Sequence, residues 1–190
     1  MSTFNQSITA TNNACFWLYD EDPGVQGSNK FYVQHGYTGT GNYEYGYASG
    51  LRFTSLPITK GAIITSATLS IWIKLQSGSP VTLCFGDDAD NSALISSAYD
   101  GSTRVRTTAN VDPGTYVVTE TKNINVKGIV EEIIARTGWA AGNAMQFLIY
   151  STGGVAGDYV QNDVPTTNDY LALAIEYQNP TKGRTNIMIF

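Results

Sequence analysis

Apolar and polar positions alternate along much of the chain with a period of two. The clearest example runs from Ala67 to Leu75, where every second residue is apolar and the residues between are Thr, Ser, Trp and Lys. This alternation is typical of a β-strand with one face in a core. Weaker forms of the pattern occur at 14–19, 30–35, 43–53, 81–85, 103–109, 115–124, 145–150 and 170–177. Together these segments predict enough antiparallel strands for a two-sheet β-sandwich.

One segment follows a helical period instead. Its apolar residues recur at spacings of three and four, which places them on one face of a helix. They are Val126, Ile129, Val130, Ile133 and Ile134. The pattern predicts a short amphipathic helix near residues 126–137, capped by Asn125 and ended by Gly138 in a left-handed conformation.

The residues around this helix complete the prediction. Glu131, Glu132 and Arg136 are expected on or near its solvated side, and Trp139 is expected to fold back as an apolar lid. No linker or repeat divides the chain. We therefore expect a single domain over residues 1–178, followed by a C-terminal extension over 179–190.

Composition narrows the range of partners. Only 14% of the 190 residues are charged, compared with roughly 25% in an average soluble domain. The formal net charge is −5 and no basic stripe is present, which argues against nucleic acid as a partner. The apolar stretches are too short to cross a bilayer, and the first residues lack the apolar core of a signal peptide. We expect no membrane partner and no signal peptide.

Residues that could perform catalysis are few. His35 is the only histidine, and no Gly-x-Ser-x-Gly turn presents a serine. Cys15 and Cys84 lie in apolar strand-like segments, so two free buried thiols are favoured over a disulfide, and a structural histidine over a cysteine–histidine pair. The acidic cluster 20–22 precedes Pro23-Gly24 and is interpreted as an exposed turn rather than an acid and base pair. The sequence therefore predicts a protein that is not an enzyme.

An acidic loop raises the question of a metal. Asp87, Asp88 and Asp90 lie close together, and Ca²⁺ prefers several carboxylate and carbonyl oxygens. The EF-hand spacing is missing, so an ordinary acidic turn is favoured. We expect no cofactor, with calcium as the alternative.

A row of tyrosines is the strongest candidate for binding. Tyr43, Tyr45 and Tyr47 alternate with other residues and so share one face of an extended strand. Such a row could stack on sugar rings or on a protein neighbour. Cross-strand packing of aromatic side chains explains it equally well. Both interpretations stay open.

Four landmarks in order resemble a known module. They are the segment 50–69, the Asp-Asn-Ser-Ala loop within 86–93, the Arg-Thr-Thr-Ala strand within 102–109, and the helix-and-Trp segment 128–143. Together they resemble a jelly-roll module, related to carbohydrate-binding modules, of bacterial surface proteins and phage structural proteins. The tryptophan often expected after the Arg-Thr-Thr-Ala strand is absent, and Ala109-Asn-Val-Asp-Pro-Gly-Thr follows instead.

The resemblance implies a jelly-roll fold and a role in binding or assembly. The bacterial versions usually sit beside other modules, whereas here the module makes up the chain, which favours a part of a virion. The leading hypothesis is a phage structural protein, namely a capsid decoration or cement protein, or a tail component. It would contact capsid or tail proteins and copies of itself, and would be assembled in the host cytoplasm. The alternatives are a non-catalytic carbohydrate-binding module and, third, a glycan hydrolase based on the 20–22 cluster.

The two ends of the chain supply candidate interface residues. Ile187, Ile189 and Phe190 form an apolar terminus after a spacer that contains Pro and Gly, and Phe4 lies in an N-terminal arm. The terminus could add a strand to a neighbouring subunit's sheet, or it could pair with its own sheet. Exposed apolar ends on a protein of low charge tend to mark interfaces.

Overall fold

The computed structural model describes residues 1–8, 13–19, 27–28, 30–35, 46–163 and 171–180. They form two antiparallel sheets packed as a sandwich, which confirms the predicted fold class. The strands are β1 (Ser2–Ser7), β2 (Ala14–Tyr19), β3 (Gly27–Ser28), β4 (Lys30–Gln34), β5 (Gly46–Phe53), β6 (Ile63–Trp72), β7 (Leu75–Ser77), β8 (Val81–Asp87), β9 (Arg106–Val111), β10 (Thr121–Asn125), β11 (Met145–Gly153), β12 (Tyr159–Asp163) and β13 (Leu171–Gln178). Two helices, α1 (Ala98–Thr103) and α2 (Lys127–Ala135), complete the described part.

The smaller sheet has four strands in the order β1-β13-β6-β10. Its inward residues alternate as the sequence pattern requires, with Leu69 and Ile71 of β6 beside Leu173 of β13. The other sheet has nine strands in the order β7-β12-β4-β5-β11-β8-β9, with β2 pairing both β5 and β3. Its Leu51 and Phe147 meet the residues of the smaller sheet in one apolar core.

Part of the outer side of the larger sheet, around β11, is covered as well. The segment between β8 and β9, which includes α1, buries a second apolar cluster that contains Trp17, Ile95 and Leu148. Gly101 of α1 lies so close to Trp17 that an added Cβ would be 2.6 Å from the indole ring. Because both faces of β11 are covered, its first seven residues are all buried.

Helix α2 closes one end of the main core with the predicted apolar face, since Ile129, Val130, Ile133 and Ile134 are all buried. The N-cap residue is Val126, which makes no side-chain cap bond, and Asn125 lies one residue before it, where its Oδ1 accepts the N–H of Lys127 at 3.2 Å. The prediction for Gly138 was wrong, because this residue is not left-handed. The chain already leaves the helix at Arg136, which is extended, with ψ of 151°.

Two of the predicted strands start later in the chain than expected. The expected strand 115–124 is a strand only over β10, because Pro113-Gly114 and the left-handed Thr119, with φ of 62°, hold the preceding residues in a loop. The segment 103–109 begins at the end of α1, so that β9 starts at Arg106. The sequence pattern did not predict β1, β12 or α1.

The boundary between the expected domain and its extension falls at the last described residues. Asn179 Oδ1 accepts the N–H of Thr59 at 3.1 Å and its hydroxyl at 3.0 Å, so the chain is still bound to the sandwich there. Residues 181–190 lie outside the described part. Within the described part, neither helix is long and apolar enough to span a membrane.

Candidate binding site

The acidic loop is held by arginines. Asp87 is buried and binds Arg104 with a distance of 2.6 Å between its Oδ2 and Nη1. Arg104 Nε lies 2.8 Å from Asp100 Oδ1, four residues earlier on α1. Burial works against the ionised form of Asp100, but hydrogen bonds from Arg104 and from the Ser96 N–H outweigh it and lower the pKa of the carboxyl group. These pairs fix α1 against β8.

A second arginine binds the rest of the loop. Arg136, at the end of α2, pairs with Asp88 and lies 3.0 Å from Asp90. Its hydrogen bond to Asp88, more than the one to Asp90, raises the pKa of the guanidinium. A Cβ at Gly138 would lie 2.2 Å from Asp90 Oδ2, so a larger residue there would displace this carboxylate. Asn143 Nδ2 also donates to the Asp90 carbonyl at 2.9 Å.

These pairs bear on the calcium alternative. The described residues contain no group of three or more His, Cys, Asp or Glu side chains arranged to hold a metal ion. The three aspartates Asp87, Asp88 and Asp90 face guanidinium groups instead. The acidic loop therefore joins both helices to the larger sheet, and calcium binding stays a prediction.

Glu132 and Trp139, in and after α2, also make hydrogen bonds to the rest of the fold. Glu132 accepts the N–H groups of Thr108 and Ala109 on β9, at 2.8 and 2.7 Å. It does not simply lie in solvent, as the sequence suggested. Trp139 is buried and its Nε1 donates to the Ile58 carbonyl at 2.9 Å, as expected of a lid. Glu132 and Trp139 therefore tie α2 and the residues after it to β9 and to the loop before β6.

The two cysteines are free and buried, as predicted. Burial raises the pKa of the Cys15 thiol to about 12 and raises that of Cys84 as well. His35 is half-buried, and its Nδ1 has no hydrogen-bond partner. The thiols donate to backbone carbonyls, Cys15 to that of Gly50 and Cys84 to that of Phe85, each at 3.9 Å. The acidic cluster 20–22 lies outside the described residues.

Aromatic side chains cluster on β2, β4, β5 and β12. Tyr32 is at their centre, with ring centroids 5.5 Å from Phe16, 5.1 Å from Tyr47 and 5.7 Å from Tyr159. Phe16 and Tyr47 also meet at 5.8 Å, edge to face. Such contacts stabilise a group of rings by about 0.5–1.5 kcal/mol per pair beyond area burial. All four side chains are only half-buried, so the cluster also reaches the surface.

The cluster borders a shallow pocket of about 260 Å³. We call it the tyrosine pocket, and its lining residues are Phe16, Lys30, Tyr32, Gln34, Tyr47 and Gln161. On β4 the intervening residues Phe31 and Val33 belong to the main core, so alternation directs Lys30, Tyr32 and Gln34 away from it. The Tyr32 hydroxyl donates to Gln34 Oε1 at 2.7 Å. The pocket thus combines aromatic rings with amide and amino groups.

The predicted tyrosine row is only partly described. Tyr47 lies in the tyrosine pocket, whereas Tyr43 and Tyr45 fall outside the described residues. Sequence reasoning missed Phe16, Tyr32 and Tyr159. A usable signal existed on β4, because the segment 30–34 alternates Lys, Tyr and Gln with the apolar Phe31 and Val33.

The four-stranded sheet presents a second candidate surface, which we call the polar face. Two rows of opposed residues cross its four strands on the side away from the core. One row is Ser7, Ala172, Ser70 and Asn123, and the other is Asn5, Ala174, Thr68 and Asn125. None of these side chains is charged or long. Trp72 and Glu176 lie at the margins of the face.

The predicted interface residue Phe4 is in the edge strand of this sheet. It is half-buried and packs against the main core. Ile187, Ile189 and Phe190 lie outside the described residues. Comparison of the sequence with models of known protein families and with curated proteins finds no match to either.

Proposed function

We propose that this chain is a structural protein of a phage particle, a capsid decoration or cement protein or a tail component, which acts by packing against other proteins. It is not an enzyme in this proposal. The observation that carries the proposal is the polar face, two rows of short uncharged side chains that cross four strands. The resemblance to phage structural modules supports the same assignment.

The polar face suits a protein neighbour for two physical reasons. Charged residues are depleted in the centres of protein interfaces, and these eight positions carry none. Short side chains such as Ser, Ala and Thr also lose little rotamer entropy when they are buried, compared with Lys or Gln. A neighbour that covers the face would therefore bury it at low cost. Some of its polar groups are already paired, since Ser70 Oγ donates to Asn123 Oδ1 at 2.7 Å and Asn125 Oδ1 accepts the Lys127 N–H.

The test is the composition of purified particles from cells that carry this sequence. Mass spectrometry should find the chain in particles at a fixed ratio to the shell or tail protein. Ala174→Arg, which places a long charge in the exposed centre of the polar face, should reduce that ratio. Ser102→Arg, at an exposed position on α1, is the matched control and should not. Particles that lack the chain, or that bind both variants equally, would refute the proposal.

A second candidate function rests on the tyrosine pocket. Sugar rings stack on aromatic side chains while amide groups bind their hydroxyls, and the pocket offers both kinds of group. Its volume of about 260 Å³ is close to the lower end of ligand pockets, which suits one sugar ring or the end of a glycan. In this function the chain is a non-catalytic carbohydrate-binding module.

A glycan array probed with the labelled protein tests this candidate. If a glycan binds, Tyr47→Ala should weaken its binding about tenfold or more, equivalent to about 1.4 kcal/mol. Tyr99→Ala is the matched control, because Tyr99 is 65% exposed on α1 and takes no part in the pocket. Silence across a broad array, or equal losses in both variants, would remove this candidate.

A further inference from the structure

The strand β1 forms one edge of the four-stranded sheet. It pairs with β13 over all six of its residues without a bulge, and within the described chain no strand pairs with its other side. Natural proteins usually protect such an edge with a lysine, a proline, a bulge or a covering element. The sequence of β1, Ser-Thr-Phe-Asn-Gln-Ser, supplies neither a charge nor a proline. As far as the described residues go, the edge is therefore open to strand addition.

The groups that face outward follow from antiparallel geometry. The N–H of Ile8 donates to the carbonyl of Leu171 at 2.8 Å, so Ile8 points its backbone groups toward β13. Backbone groups alternate sides along a strand. Thr3, Asn5 and Ser7 must therefore point their N–H and C=O groups away from β13. The side chains of these three residues are exposed as well.

The edge is also held in place, which makes it a preformed template. Phe4 packs against the main core, and Gln6 Oε1 accepts the N–H of Thr54 at 2.8 Å. By contrast, the edge of β9 in the larger sheet is covered, because Glu132 binds two of its backbone N–H groups. Within the described residues, the edge strand β1 is thus uncovered, whereas the edge strand β9 is covered.

We propose that β1 pairs with β1 of a second copy of this chain. The pairing is antiparallel about a two-fold axis at Asn5, which sets Asn5 opposite Asn5 and Thr3 opposite Ser7 of the second copy. The outward groups of three residues on each chain then form about six hydrogen bonds. A strand that pairs with itself brings identical charges together, and β1 has none to oppose this. The result is a closed pair in which the two small sheets join into one.

This inference does not rest on the proposed function. It follows from the edge of the sheet alone and holds for a virion component and for a glycan-binding module. Its test needs neither particles nor glycans, so its failure leaves both proposals standing.

The first experiment traps the pair in solution with the full chain. In an antiparallel hydrogen-bonded pair the opposed Cα atoms lie about 5.5 Å apart, within the range of a disulfide. Asn5→Cys should therefore form a covalent dimer under mild oxidation. Ser66→Cys, at an exposed position two strands inward on β6, is the matched control and should form it far more slowly. Cys15 and Cys84 are buried and should not compete.

The register has its own test. A mixture of the variants Thr3→Cys and Ser7→Cys should crosslink between the two variants, and each variant alone should crosslink poorly. Equal crosslinking of every variant, with itself and with the others, would mean random collision and would overturn the proposal.

The second experiment measures mass by light scattering as the concentration rises. The mass should rise from 20.5 kDa toward ~41 kDa, twice that value, because a closed two-fold pair stops at two copies. Asn5→Pro removes only an outward N–H, so it should keep the chain at 20.5 kDa while leaving its circular dichroism spectrum unchanged. A second variant, Asn5→Lys, should do the same through like charges, and added salt should partly restore pairing. A mass of 20.5 kDa at every concentration without crosslinking, or a dimer that Asn5→Pro leaves intact, would overturn the proposal.

Discussion

Replacing Glu132 by alanine should destabilise the protein more than replacing Glu131, the other acidic residue of α2. The carboxylate accepts two backbone N–H groups from the edge of β9, with distances of 2.8 Å to Thr108 and 2.7 Å to Ala109. The substitution removes both acceptors at once. It also uncovers the edge strand of the larger sheet.

The magnitude follows from these two bonds. A hydrogen bond to a charged group contributes about 1.5–3 kcal/mol net to stability. Thr108 is exposed, so water replaces its lost partner, whereas Ala109 is half-buried and its N–H is harder to hydrate. Alanine regains a few tenths of a kcal/mol as the better helix former. The free energy of unfolding should therefore fall by about 2–3 kcal/mol, which lowers Tm by about 5–10 °C in a chain of this size.

Chemical and thermal denaturation measure this change, with Glu131→Ala as the control. Glu131 is the preceding residue on the helix and is exposed, and its ion pair among the described residues is with Lys127, at 3.7 Å. An exposed pair of this kind contributes about 0.3–0.5 kcal/mol. The two variants therefore make the same chemical change and differ in whether the carboxylate binds the edge of β9.

Equal stability of the two variants would refute this reasoning. It would mean that the Glu132 bonds contribute no more than an exposed ion pair. Light scattering during storage gives a second readout, since an uncovered edge strand promotes association. Only the Glu132→Ala protein should aggregate faster than the parent.

Three further outcomes are expected. Gly101→Ala should lower the free energy of unfolding by about 1–3 kcal/mol, because the new Cβ would lie 2.6 Å from the Trp17 ring; Tm of this variant checks it. Cys15 and Cys84 should not react with a thiol reagent in the folded protein. Burial raises the pKa of the Cys15 thiol from 9.0 to about 12, so between these values the thiol is neutral in the folded protein and ionised in the unfolded chain. The free energy of unfolding should therefore fall as the pH rises through this interval, and it should fall less in Cys15→Ala. The pKa of Asp100 is lowered on folding, so its contribution to stability is present above its unfolded pKa of about 3.9 and is lost as the pH falls below that value. Asp100→Asn should therefore lose less stability than the parent between pH 5 and acid, measured as the urea midpoint.

The parts of the fold that the sequence predicts are those where one face alone is buried. Strand β6 and helix α2 have clean periods of two and of three to four because each packs against one core. Strand β1 has a single large apolar residue, Phe4, and its place depends on pairing with a strand about 170 residues later in the chain. Helix α1 contains Gly101 and follows Ser97, whose side chain accepts the Asp100 N–H. That capping signal was present in the sequence, but the helix also needs its contact with Trp17.

The candidate site was harder to predict because its residues come from separate parts of the chain. Tyr47 was identified from a local row of tyrosines. Its ring packs against those of Phe16 and Tyr32, and these contacts depend on how β2, β4 and β5 pair, which the sequence pattern does not define. The acidic loop was singled out correctly as a cluster of carboxylates. Its partners Arg104 and Arg136 are separated from it by up to 48 positions, so spacing alone did not identify them.

The covering of both faces of β11 in the larger sheet bears on how this protein can change over evolutionary time. All seven residues from Met145 to Ser151 face a packed environment, so this part of β11 has no position at which mutations accumulate freely. Strands of the smaller sheet keep one solvent side, and drift should concentrate there. Lineages that descend from this protein should therefore share the centre of the larger sheet and diverge on the outside of the smaller one, which is where new partners can be acquired.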